Sequence, residues 1–325
     1  MSSISLNGFL STALSSNIQD LRTQIADRAK EATTGLQADL VKHLDGQIDR
    51  ALLADLAVKE NADDRDRLEL RQIRLSIVQT SVSAIHDLTE GYQLDMRAAI
   101  GVPDVQRQTT VARQAEEAIS EVLSRLNARN GERFLFSGDA TATAPFLDAD
   151  TLLNDIRAIA TAATDEADFA AQVQTYFQDP AGGFQTTFYQ GADAASDPDA
   201  VLANQSAFAD LFQGLSVLAL AGPGEGVPFA QAGTAALDEA LDLLERGRTG
   251  LVNIEADVGI RQASLSSEQE LLEREATLLT NAFGELAGKD QYEAATQLEQ
   301  LETNLEASYL LTTRLSNLTL LNFLR

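Results

Sequence analysis

Apolar residues near the N-terminus recur at alternating intervals of four and three positions. Leu14, Ile18, Leu21 and Ile25 follow this spacing, and polar residues occupy most of the positions between them. Side chains spaced in this way lie on one face of an α-helix and form the seam through which two helices pair. The pattern predicts an N-terminal helix that needs a partner, since two heptads alone are marginally stable in water.

Three longer stretches have the same helical period. The first runs from about residue 49 to 100 and has an apolar stripe that includes Val78 and Ile85, with Thr89 interrupting it. The Gly-Val-Pro-Asp sequence at 101–104 ends it, and a second stretch follows over 105–127. The third begins near residue 234 and carries leucines at heptad intervals, at positions 265, 272, 279 and 286. These patterns predict long helices on both sides of a central region.

The central region, from about residue 140 to 233, has a different character. It holds five of the six prolines and three short amphipathic pieces, at 152–163, 169–177 and 208–220. Residues 184–190 alternate as a strand does, and Phe134 to Phe136 forms a predicted short strand after an Asn-Gly turn. We expect an inserted small lobe of mixed α/β structure here.

Apolar residues near the C-terminus fall on several helix faces at once. A stripe through Leu298, Leu301 and Leu305 continues into a dense apolar cluster, which the N-terminal helix can cover from one side only. Either this segment is disordered in the monomer or other subunits cover it. The predicted subunit-assembly interface consists of Leu14, Ile18, Leu21, Ile25, Leu298, Leu301, Leu305, Leu311, Leu315, Leu318, Leu321 and Phe323.

These elements together predict a mainly α fold, an elongated rod of long helices from both chain ends with the small lobe inserted. Because each end carries a seam that it cannot bury alone, the two ends are expected to pack on each other as a coiled-coil bundle. We expect three domains: residues 1–45 with 290–325 as a terminal coiled-coil assembly domain, 46–140 with 234–289 as a helical rod, and 141–233 as an inserted variable surface domain.

Charge and composition narrow the possible partners. The formal net charge is −25, with 24 Lys and Arg residues against 49 Asp and Glu. Phosphate binding needs a basic surface, so neither nucleic acid nor an anionic membrane is an expected partner. No apolar run is long enough to cross a bilayer, and the first residues lack the basic start and apolar core of a secretory signal peptide.

The sequence offers few side chains for catalysis. Cysteine is absent, and the two histidines, His43 and His86, lie in no triad-like pattern, so both are expected on helix surfaces. Asp193, Asp197 and Asp199 lack EF-hand spacing, which favours a solvated loop over a calcium site. No phosphate-binding or metalloprotease motif occurs. We therefore expect no enzyme activity, no cofactor and no metal.

Three further stretches are distinctive, namely "NGERFLFSGDATATAPF" at 130–146, "EADVGIRQASL" at 255–265 and the closing residues 290–324. Together they resemble the flagellin-related family of bacterial flagellar proteins, in particular its members at the junction of hook and filament. The first is similar to that family's Leu-Phe-Ser-Gly turn. "EADVGIRQASL" at 255–265 is similar to its return into the C-terminal helices. The last stretch, "DQYEAATQLEQLETNLEASYLLTTRLSNLTLLNFL" at 290–324, is similar to its closing helix.

The resemblance implies a structural role outside the cell. It implies export through the flagellar type III apparatus, self-assembly into a ring through the terminal helices, and contacts with hook-associated protein 1 and with flagellin. An export chaperone would shield the C-terminal helix before secretion. Two alternatives remain open, namely a flagellin of the filament and a cytoplasmic coiled-coil adaptor or secretion chaperone.

Overall fold

The structure, a computed structural model, describes residues 3–44, 48–100, 105–222, 227–230 and 234–323. Within these ranges, the side chains of residues 3–12, 93–95, 98–100, 228 and 315–323 fall outside the described set. Its contacts divide the chain into two compact units, Met1–Asp66 with Glu270–Arg325, and Arg67–Gln269. The three-domain division expected from the sequence stays a prediction.

Helices account for most of the described chain, so the predicted mainly α fold is confirmed. In order they are α1 (Ser3–Thr34), α2 (Leu40–Leu44), α3 (Ile48–Ile100), α4 (Val105–Leu126), α5 (Ala149–Ala162), α6 (Glu166–Gln178), α7 (Ser206–Ala219), α8 (Ala235–Ala287) and α9 (Gln291–Phe323). Two short antiparallel strands, β1 (Arg129–Asn130) and β2 (Arg133–Phe134), form a hairpin after α4. The long periodic stretches thus became α3, α4 and α8.

In the first unit, α1 packs along α9. Three residues separate the last two helices, because α8 ends at Ala287 and α9 begins at Gln291. Asp290 starts α9 by accepting hydrogen bonds from the backbone N–H groups of Tyr292 and Glu293, as an N-cap residue does. In the same unit α3 contacts α8, where the side-chain amide of Asn61 donates to the carbonyl of Leu272 at 3.1 Å.

The core of the second unit is built around α7. This helix packs on α4, α5 and α6, and nearly all of its side chains are buried. Phe212 on α7 lies among rings from the preceding segments, with neighbouring centroids between 5.1 and 6.2 Å apart. The rings are those of Phe146, Phe177, Phe184, Phe188 and Phe212. Such spacing is favourable for aromatic side chains, so this cluster contributes to stability beyond its buried area.

Helix α7 also comes very close to α8 in the second unit. A Cβ atom placed on Gly250 would lie 2.5 Å from the Cβ of Ala207, nearer than two non-bonded carbon atoms can approach. Small residues on both helices therefore permit this contact, and a larger side chain at either position would separate them.

The structure differs from both strand predictions, at 184–190 and at 134–136. Residues Phe184–Phe188 form a π-helical turn, in which the N–H of Tyr189 donates to the carbonyl of Phe184 at 2.9 Å. Two apolar residues four positions apart share a face in a strand and also in a helical turn, so the alternation was ambiguous. The second predicted strand ends at Phe134, since Leu135 and Phe136 leave the hairpin for the core.

Polar residues of α3 also depart from expectation. His86, predicted on the surface, is half-buried, with Nδ1 3.8 Å from a carboxylate oxygen of Glu255 on α8. Thr89 interrupts the apolar stripe in sequence but is buried, because its hydroxyl donates to the carbonyl of Ile85 within the same helix. His43 lies exposed, as predicted.

The loop with three aspartates is not simply solvated. Asp193 is exposed, but Asp197 and Asp199 are partly buried and form ion pairs with Arg133 and Arg71. Among the described residues, no group of three or more His, Asp or Glu side chains could hold a metal ion. No helix in the described part of the chain is long and apolar enough to span a bilayer.

Candidate assembly interface

The α1 seam lies against α9. Leu14, Ile18, Leu21 and Ile25 are each half-buried, while most positions between them are exposed. On α9 the half-buried leucines are Leu298, Leu301 and Leu305. The structure therefore brings together these seven predicted interface residues as the facing sides of one helix pair within the chain.

Two contacts show that the pair is antiparallel. Near the middle of α1, a guanidinium nitrogen of Arg22 donates to the hydroxyl of Tyr309 at 2.7 Å. Beyond the C-terminal end of α1, the N–H of Lys289 donates to the carbonyl of Gly35 at 2.8 Å. Residues earlier in α1 thus pair with residues later in α9, so the two helices are antiparallel.

The turn after α1 is fastened to the turn before α9. Gly35 adopts a φ of 68°, a left-handed conformation that ends the helix and that glycine tolerates best. Leu36 then forms an isolated antiparallel bridge with Gly288, and the N–H of Gln37 donates to the carbonyl of Ala287 at 2.8 Å. This short pairing fixes the register of the antiparallel α1–α9 pair.

A buried carboxylate completes the turn. Glu31 is almost fully buried, and its side chain accepts hydrogen bonds from the backbone N–H of Ala38, at 3.1 Å, and from Arg28. A buried charge is tolerated when it is paired in this way. The sequence contained no pattern that singled out Glu31, because its partners depend on the chain reversal after Gly35.

Two leucines on another face of α9 are not covered within the described part of the chain. Leu311, a predicted interface residue, is 55% exposed, and its neighbour Leu310 is 62% exposed. Neither belongs to the face that meets α1. The other predicted residues, Leu315, Leu318, Leu321 and Phe323, lie where the side chains are outside the described residues, although α9 itself extends to Phe323.

The first unit also exposes an apolar stripe that the sequence analysis missed. Ile48, Leu52 and Leu56 follow one another every fourth residue at the start of α3, and all three are exposed together with Leu53. On α8, Leu271 and Leu278 are more than half exposed. The four-residue spacing would have indicated the α3 stripe, but the sequence alone does not separate a buried stripe from an uncovered one.

Comparison with known proteins bears on this pair directly. Residues 241–324, which include most of α8 and all of α9, match the family model of the bacterial flagellin C-terminal helical region. This part of the chain, here called the flagellin-type region, is similar to the C-terminal helices of bacterial flagellins. The match supports a structural component of the bacterial flagellum, exported from the cell and extracellular.

Two further comparisons are less informative. A search of curated proteins returns no match. Among solved structures, the crystal structure of Bacillus cereus FlgL is similar over 71% of this chain and 96% of that chain, with 12% sequence identity and a TM-score of 0.44. The similarity to flagellins therefore rests on the family-model match over residues 241–324.

Proposed function

We propose that this protein is hook-associated protein 3, which joins the hook of the bacterial flagellum to its filament. The observation that carries the proposal is the apolar surface that α9 leaves uncovered at Leu310 and Leu311, within the flagellin-type region. Exposed apolar side chains that cluster on one element are typical of surfaces that other subunits cover. The same subunits would cover Leu315, Leu318, Leu321 and Phe323.

The α1–α9 pair would be the element that assembles. Its facing leucines hold the two chain ends together, and its outer face would contact neighbouring copies in a ring. Hook-associated protein 1 would bind on one side of the ring and flagellin on the other. Before secretion through the flagellar type III apparatus, an export chaperone would shield the apolar side of α9. Net charge of −25 would keep free subunits apart.

A flagellin of the filament is the second candidate. The matching family model describes flagellins, which favours this candidate. The Phe-Ser-Gly turn at 136–138 favours the junction, because it resembles the turn of the junction proteins. Its Ser137 is fully buried and its hydroxyl donates to the carbonyl of Thr143 at 2.7 Å, so the turn is a fixed part of the second unit.

Gold-labelled antibody imaging of flagellated cells separates the candidates. We expect a single spot where each filament meets its hook. Label along whole filaments would make the chain a flagellin. Label confined to the interior of permeabilised cells would overturn both and leave a cytoplasmic adaptor or secretion chaperone. A strain lacking the gene is the control for antibody specificity.

A further inference from the structure

Residues 190–200, here called the strap, cross the second unit without helix or strand. The strap connects two buried anchors, Tyr189 before it and Val201 after it. None of the residues between these anchors is buried. A segment that buries so little apolar surface can open at low free-energy cost while the rest of the fold stays intact.

One end of the strap is held by the turn at residues 137–139. The N–H of Ala192 donates to the carbonyl of Ser137 at 3.0 Å, and the N–H of Asp139 donates to the carbonyl of Asp193 at 3.2 Å. The carboxylate of Asp139 accepts from the backbone N–H groups of Ala195 and Ser196 and from the hydroxyl of Ser196. The Ser196 hydroxyl does most to hold the pKa of Asp139 below its usual value.

The other end is held by arginines from three separate elements. Arg71 on α3 contacts Asp199 through two nitrogens at 2.8 Å, and Arg133 on β2 contacts Asp197 at 2.8 Å. Arg74 lies 4.0 Å from Asp197. Arg261 on α8 donates to the carbonyl of Ala200 at 3.4 Å. Four guanidinium groups of a strongly acidic protein thus converge on three residues of the strap, Asp197, Asp199 and Ala200.

Beneath these ion pairs lies a cavity of about 20 Å³, lined by Leu75 and Leu135 as well as by the charged groups. Such a volume has room for about one water molecule. Leu75 and Leu135 are both buried. Displacement of the strap would therefore break the ion pairs, hydrate the separated charges and expose two leucines of the second unit.

We propose that the strap is a latch that opens and closes as a unit, with the ion pairs of Asp197 and Asp199 as its lock. The lock is electrostatic and partly exposed, so dissolved salt weakens it, whereas the aromatic core nearby does not depend on charge. In the open state the second unit presents Leu75 and Leu135 as new apolar surface. The proposal is independent of the assembly role of α1 and α9.

Hydrogen exchange measured by mass spectrometry on the full chain tests the latch. Raising NaCl from about 0.05 M to about 1 M should speed exchange in the strap about ten-fold, since two to three ion pairs are screened. The relevant amides are those of Ala192, Ala195, Ser196, Asp199 and Ala200. Amides of α7 should not respond. If strap amides exchange as slowly as α7 amides at both salt concentrations, the strap does not open separately.

In the double variant Asp197→Asn with Asp199→Asn, the strap amides should exchange fast already at low salt. Raising the NaCl concentration should no longer speed their exchange. Asp193→Asn is the matched control, since Asp193 is exposed in the same strap, and it should keep the response. A salt response that persists in the double variant contradicts the proposal. If the double variant loses α7 protection, Arg71→Gln is the substitute, because it removes the Asp199 pair and leaves the strap sequence unchanged.

Discussion

At the scale of single residues, Gly250 shows how one missing Cβ atom sets a helix contact. Alanine at this position would place its Cβ 2.5 Å from that of Ala207, so α7 or α8 would have to shift. We expect Gly250→Ala to lower the free energy of unfolding by about 1–3 kcal/mol, the usual cost of overpacking.

The control lies on the same helix. A Cβ atom on Gly259 meets nothing within 4 Å, so Gly259→Ala should stabilise the protein by roughly 0.5–1 kcal/mol through helix propensity. Urea unfolding followed by circular dichroism measures both variants. Equal effects of the two substitutions would show that the close approach of α7 to α8 does not limit packing.

Asn61 is a buried polar residue that is only half satisfied. Its side chain is 5% exposed, its amide nitrogen donates to Leu272, and its carbonyl oxygen has no partner. An unsatisfied buried oxygen costs about 1–3 kcal/mol. Asn61→Leu should therefore raise the urea midpoint, whereas Asn281→Leu, at an exposed position of α8, should change the free energy of unfolding by less than about 0.5 kcal/mol. A lower midpoint for Asn61→Leu would show that the bond to Leu272 dominates.

Asp210 should give the second unit an unusual pH dependence. Burial raises the pKa of this carboxyl, while Arg246 and Gln178 act in the opposite direction. Because the folded state holds the proton more tightly than the unfolded state, Asp210 destabilises the fold as pH rises from its unfolded pKa through its folded pKa. Asp210→Asn should melt higher than the natural chain at pH 7, and the difference should vanish at about pH 3. A constant difference across pH would exclude titration of Asp210 as its cause.

At the scale of elements, long periodic helices could be predicted from the sequence and short apolar segments could not. The stripe through Val78 and Ile85 predicted α3, because a helical period repeated over many turns favours a helix. The π-helical turn at Phe184–Phe188 could not be predicted, since its two buried phenylalanines fit both periods. Helix α7 was predicted as amphipathic but is buried nearly all round, because neighbours from distant parts of the chain surround it.

The α1–α9 pair can be tested as an element. Leu21→Asp places a charge on the half-buried face that meets α9 and should destabilise the pair by roughly 2 kcal/mol or more, since burying a charge among apolar side chains is costly. Ala26→Asp, on the exposed face of α1, is the control. Limited proteolysis should cut α1 faster in Leu21→Asp, with α7 protected in both variants. Equal cutting of α1 in both would mean that the pair does not form in the monomer.

At the scale of the whole molecule, long-range contacts within the chain could be predicted in part. The seam residues of α1 and α9 were recognised because the helical period marks one face of each. The Arg71–Asp199 pair could not be predicted, since its members lie 128 positions apart and no pattern connects them. The assembly role of the predicted interface residues stays a prediction.

Leu310→Asp with Leu311→Asp tests that role. Both side chains are more than half exposed in the single chain, so the free monomer should unfold at nearly the same urea concentration as the natural protein. Assembly should be lost, because neighbouring subunits would have to bury two charges. Thr313→Asp, exposed on the same helix, is the control. The measurement is filament formation in cells that carry only the variant gene, and normal filaments with the double variant would contradict the proposed surface.

The antiparallel contact of Arg22 with Tyr309 joins residues separated by 287 positions. During translation α1 therefore leaves the ribosome long before α9 has been made. Every nascent chain carries an apolar helix face with no intramolecular cover until α9 has been made, and closing so long a loop is slow. A chain cut short anywhere before α9 keeps that face open, which would make such fragments ready targets for quality-control proteases.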